Sequence, residues 1–131
     1  MRGLDTNVLV RYLTLDDEIQ AAAATEVIEG AARTGEPLFV SPVVLCEVVW
    51  VLEAAYRLGR DEILGALDSI LRTAQLRFED KDVLWQALAD YREGRGDFSD
   101  YVIGRGAVAA GCSSTVTFDR DLTSRALFEV L

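Results

Sequence analysis

The chain reads as an α/β fold, a mostly parallel sheet of short strands covered on both faces by helices. Two observations predict it. Short apolar runs alternate with longer segments whose apolar residues recur at three- and four-residue spacing, the pattern of strand–helix units joined in parallel. And 131 residues, half of them apolar, with no Gly/Ser/Pro-rich linker, low-complexity tract or repeat, make a single domain over residues 1–131.

The elements follow in order. Residues 1–5 form a strand closing on Asp5, and residues 6–13 a short helix. Residues 16–33 are Ala-rich with Ile19, Ala23, Val27 and Ala31 at helical spacing; Thr14, Asp16 and Asp17 stand at its start as caps and dipole partners. Residues 37–40 form a second strand. Ser41-Pro42 then places a cap before a proline at the first helical position, opening a helix that runs through Tyr56 and stops near Leu58-Gly59. Residues 61–73 are amphipathic, with Ile63, Leu67, Ile70 and Leu71 on one side. A strand at 75–78, a helix at 82–92 and a turn at Gly94-Arg95-Gly96 come next. The helix over 99–110 contains Gly104 and Gly106, which weaken it but let another element approach closely. A strand at 114–118, a short helix and a last strand at 128–130 complete the chain.

Composition narrows the chemistry. With no His, a Ser-His-Asp or Cys-His triad and a His-ligated zinc centre are excluded, so base chemistry falls to a carboxylate or a metal-activated water. Cys46 and Cys112 form no CxxC pair and read as reduced, mostly buried thiols of a cytoplasmic protein. The apolar stretch at 42–56 is interrupted by Glu47 and Glu53 and is too short for a membrane span, and Asp5 falls where a signal peptide would need apolar residues. A net charge of -9 argues against holding nucleic acid by bulk electrostatics, but metals bound among carboxylates would reverse the local field. All basic side chains but Lys81 are Arg.

Four acidic sites, five residues in all, stand out. Asp5 closes the first strand and Asp119 follows the strand at 114–118. Asp97 and Asp100 open a helix. Glu47 lies within a helix among Val43, Val44, Trp50 and Val51, where burial would cost several kcal/mol without a cation, a hydrogen-bond network or an exit to solvent. Each has a plainer reading: Asp5 as a turn residue, Asp97 and Asp100 as a capping box, Asp119 as a cap, Glu47 at the edge of its stripe reaching water. Together, Asp5 and Asp119 past strand ends, and Glu47 and Asp100 near the starts of helices, point to one edge of a parallel sheet, where ligands gather. Carboxylates meeting there call for a counter-ion, and oxygen-only ligands select Mg²⁺ or Mn²⁺.

The segments Leu4-Asp5-Thr6-Asn7-Val8-Leu9-Val10-Arg11-Tyr12, Ser41 to Val51 around Glu47, Gly96-Asp97-Phe98-Ser99-Asp100, Gly111-Cys112 and Thr117-Phe118-Asp119-Arg120-Asp121-Leu122 span the chain in order. They resemble a PIN-domain ribonuclease of the VapC type, the toxin of a type II toxin–antitoxin module. The resemblance implies a three-layer α/β/α sandwich with a central sheet of four to five strands. It implies a metal-dependent endoribonuclease in which Asp5, Glu47, Asp100 and Asp119 are catalytic and, with Asp97, bind Mg²⁺ or Mn²⁺. Asn7 and Thr117 resemble residues that support the carboxylates. One ion held by Asp5 and Asp100 would activate a water, leaving a 5′-phosphate and a 3′-hydroxyl. Arg11, Arg95, Arg105 and Arg120 adjoin the acids as candidate RNA contacts. Implied partners are RNA, a VapB-type antitoxin laid across an apolar groove formed by the helices after Thr14 and around Trp50 to Tyr56, and a second copy in a homodimer. Gly104-Arg105-Gly106 departs from the family's Ala-rich helix.

Other classes fit less well. A haloacid-dehalogenase-like phosphatase wants an acid where Asn7 stands, and that fold and a response-regulator receiver each want a Lys after a late strand. A PIN-like binding module without activity, or a PIN nuclease in RNA maturation, remains the rival reading; the complete acid set speaks against the first.

Overall fold

The first strand is brief because an aspartate turns the chain straight into a helix. After β1 (Arg2–Gly3), the extended backbone of Asp5 opens α1 (Thr6–Thr14), and Asp5 Oδ1 accepts the Thr6 N–H at 2.9 Å. The computed structural model describes residues 1–123 and 126–131. It packs as two units, Met1–Glu79 and Asp80–Leu131.

In the first unit, α1 is followed by α2 (Glu18–Thr34), β2 (Leu38–Val40), α3 (Pro42–Ala54), α4 (Arg60–Leu71) and β3 (Leu76–Phe78). The strands order β1-β2-β3, all parallel, with Arg2 opposite Leu38 and Leu38 opposite Leu76. Leu9, Ile28, Leu38, Val40, Leu45, Leu52, Leu67 and Leu71 form its core. Asp17 caps α2 by accepting the Gln20 N–H at 3.0 Å, and Gly35, left-handed at φ 75°, closes it. The expected apolar face of α2 is rotated. Ala21, Ala24, Ile28 and Ala31 are buried, whereas Ile19 is 84% exposed. In an Ala-rich helix several faces are similarly apolar, and one Ile does not decide which is inside.

Ser41 caps α3 as expected, its Oγ accepting the Val44 N–H at 3.2 Å. The helix ends at Ala54 rather than at residue 56, and Arg57 takes a left-handed φ of 55°. Gly59 therefore does not stop α3; it stands before the first residue of α4.

In the second unit, α5 (Lys81–Glu93) and α6 (Phe98–Ala109) precede β4 (Thr115–Thr117), a 3₁₀ turn (Arg120–Leu122) and β5 (Phe128–Val130). β4 and β5 pair in parallel, Thr115 opposite Phe128. The short helix expected in the tail is this 3₁₀ turn; residues 124 and 125 lie outside the described residues. Among the described residues five strands pair, all in parallel, three in one sheet and two in another.

Gly104 answers its expected role. A Cβ there would stand 2.8 Å from Phe128 Cζ, so the ring of β5 lies directly on α6. Nothing lies within 4 Å of a Cβ at Gly106. Among the described residues no helix is long and apolar enough to cross a membrane.

Candidate active site

In the first unit two acids share a neighbour. Asp5 and Glu47 are both exposed. Between them stands Thr6, the first residue of α1. Its N–H donates to Asp5 Oδ1, and its hydroxyl donates to Glu47 Oε1 at 3.3 Å. The exposure of Glu47 corrects the sequence argument from burial. Leu45, Val48, Val49 and Leu52 face inward, while Val43 and Trp50, at 67% and 68% exposed, flank Glu47 on the outer side. α3 is apolar nearly all round, so its periodicity does not reveal the buried face. Glu47 needs no cation to offset desolvation.

In the second unit the charges of Asp97 and Asp119 both reach Asp100. Asp97 opens α6, and its N–H donates to Asp100 Oδ2 at 2.8 Å. Partial burial raises the Asp100 pKa above the ordinary carboxylate value. The Asp97 N–H opposes that rise, and the charges of Asp97 and Asp119 add to it. Asp119 Oδ1 accepts the Asp121 N–H at 2.9 Å and so caps the 3₁₀ turn. Thr117 Oγ1 accepts the Asp119 N–H at 3.0 Å and steadies the residue through its backbone. The capping readings therefore hold for these acids, and a carboxylate that caps a helix keeps lone pairs for a cation.

The remaining candidates separate by their partners. Asn7 is exposed on α1 and, with Val8, Arg11, Gln20, Ala23, Ala24 and Val27, lines an open groove of about 330 Å³. Arg11 donates to Asp16, Gln20 and the Tyr56 hydroxyl. Tyr56 and Thr14 in turn donate to Asp16 and, with Arg11, hold its carboxyl below the ordinary range. Arg105 is bound to Asp90. Arg95 and Arg120 are exposed, with no ion pair among the described residues. Cys112 is exposed, against the expectation of a buried thiol. Cys46 is half-buried, and burial pushes its thiol up to about 11.

Two supports went unread in the sequence. One is Thr6, whose signal was its place directly after Asp5. The other is Tyr101, fully buried, whose hydroxyl accepts the Gly96 N–H at 2.9 Å. A Cβ at Gly94 would meet that hydroxyl at 2.0 Å, so the Gly94-Arg95-Gly96 turn wraps over Tyr101 just before Asp97. The glycine pair was the available signal.

Among the described residues no three Asp, Glu, Cys or His side chains stand close enough together to hold a metal ion. The donors themselves are carboxylate oxygens, the chemistry that suits a hard divalent cation. Asp100, crowded by like charges in its own unit, would gain from one.

The chain matches the family model of the PIN domain over residues 4–126. It is 30% identical over 120 residues to a protein described as a VapC ribonuclease from Aquifex aeolicus (strain VF5), a match covering 92% of this chain and 88% of the relative.

Proposed function

The chain belongs to the PIN-domain family, and we propose that it is a Mg²⁺- or Mn²⁺-dependent endoribonuclease, the toxin of a VapBC-type module. The similarity to a VapC ribonuclease over nearly its whole length supports the activity. The observation that carries the reading is the acid set. Asp5 and Glu47 present open carboxylates beside Thr6, and the charges of Asp97 and Asp119 reach Asp100. No His is present to serve as base, so the acids are left to that role.

A divalent ion, when bound, acidifies water and offsets charge on the phosphate. On the family's pattern, the residues proposed to serve it are Asp5, Glu47, Asp97, Asp100 and Asp119. The chain's own part is to keep these oxygens oriented: Asp5 by the Thr6 amide, Asp100 by the Asp97 amide, Asp119 by the Asp121 amide. Of the four arginines, Arg95 and Arg120 are the better RNA contacts, because Arg11 and Arg105 are engaged by Asp16 and Asp90. A VapB-type antitoxin, a homodimer and a cytoplasmic location are proposed on the same family grounds.

The test is cleavage of total bacterial RNA by antitoxin-free protein with Mg²⁺ or Mn²⁺, beside EDTA and Asp5→Ala controls. Discrete fragments with 5′-phosphates, lost in both controls, are expected. A folded protein that neither cleaves RNA nor binds metal would be a PIN-like binding module instead.

A further inference from the structure

We infer that Thr6 is a positioning residue that links Asp5 to Glu47 and selects the Glu47 side-chain conformation used in the reaction. The catalytic consequence rests on the nuclease reading; the link itself does not.

Thr6 and Asp90 are the buried polar or charged residues of the described chain. A buried hydroxyl needs a partner, and that of Thr6 finds one 41 residues away, in Glu47 Oε1. The same residue's amide is spent on Asp5. Thr is β-branched, so its χ1 is restricted by the helix it begins. The hydroxyl is therefore held by packing and backbone, and it is the fixed member of the pair.

Glu47 is the less constrained member. It projects from the outer face of α3, where an unheld glutamate samples many rotamers. Among the described residues it has no ion pair, and Thr6 is its hydrogen-bond partner. At 3.3 Å the bond is long for an O–H donor. Its effect is to favour one Glu47 conformation over others, and the expected change on its loss is correspondingly moderate. Two carboxylates distant in sequence thus take their relation from one threonine.

Thr6→Val keeps the shape, the burial and the amide to Asp5 and removes only the hydroxyl. Thr6→Ser restores the hydroxyl with less packing. Two readouts separate positioning from mere stability. In metal-free protein, three-bond couplings along the Glu47 side chain report one dominant rotamer in wild type and Thr6→Ser, and averaging in Thr6→Val. On the RNA fragment that wild type cleaves, Thr6→Val lowers kcat about fivefold with KM within about twofold, and Thr6→Ser returns kcat to within about twofold of wild type. Unchanged kcat in Thr6→Val, equal losses in both variants, or Glu47 couplings that ignore the hydroxyl would overturn the inference. Should Thr6→Val fail to fold, Thr6→Ala against Thr6→Ser makes the same comparison. A wild type that cleaves no RNA removes the nuclease reading and the catalytic consequence, and the couplings then decide the Thr6–Glu47 link alone.

Discussion

Arg105 clasps Asp90 through two bonds, Nε to Oδ2 at 2.6 Å and Nη2 to Oδ1 at 2.8 Å, joining α6 to α5. Asp90 is 2% exposed, and that guanidinium is a charged partner for its carboxylate; Asp90 in turn raises the Arg105 pKa above its ordinary value. The helix thus held is the one that begins with Asp97 and Asp100.

Removing one member of a buried pair costs more than never having had it. Arg105→Ala should destabilise the protein by about 2–3 kcal/mol in urea unfolding, the low end for such pairs because the arginine is partly solvated. A loss below about 0.5 kcal/mol would place this pair with the weak surface bridges.

Gly104 and Gly106 should respond in opposite senses to alanine. At Gly104 the new methyl meets the Phe128 ring, and the overpacking should cost about 1–3 kcal/mol. At Gly106 the methyl enters open space, and helix propensity should return about 0.5–1 kcal/mol. Thermal unfolding of the two variants measures the contrast, and equal shifts would refute it.

Asp100 carries a stability cost that depends on pH. Its folded-state pKa is raised, mainly by burial, so the folded chain holds its proton more tightly than the unfolded chain does. The favourable contribution is complete below the unfolded value and is lost as pH rises through the folded one. Asp100→Asn, which can still accept the Asp97 N–H, should therefore be more stable than wild type at pH 7 without metal. The advantage should vanish below the ordinary aspartate pKa of about 3.9. Chemical unfolding in EDTA across that range tests the sign; a variant less stable at pH 7 would contradict it.

The two thiols should react at different rates. Cys112 is exposed, whereas Cys46 is partly buried with its thiol raised to about 11. The thiolate is the nucleophile, so iodoacetamide at pH 8 should modify Cys112 first and leave Cys46 largely intact in native protein. Peptide mapping after a timed pulse reads the order, and comparable labelling of both would count against it.

Much of this protein was determined by local chemistry that a sequence displays. Ser41-Pro42, Asp17 and Asp97 start helices because a short polar side chain or a proline suits the first turn, whatever packs around it. The segments around Asp5, Glu47, Asp97, Asp100 and Asp119 are the ones on which the resemblance to the family rests. Which face of a helix is buried is not local. On α3, apolar all round, only packing decided that Leu45 and Val48 go inward and that Glu47 and Trp50 go outward; on α2 it turned Ile19 to solvent. The same holds for partners distant along the chain. That Arg105 answers Asp90, that Phe128 rests on Gly104, and that one hydroxyl at Thr6 reaches Glu47 follow from where the helices and strands stack. Such contacts depend on distances through space, which no residue spacing encodes.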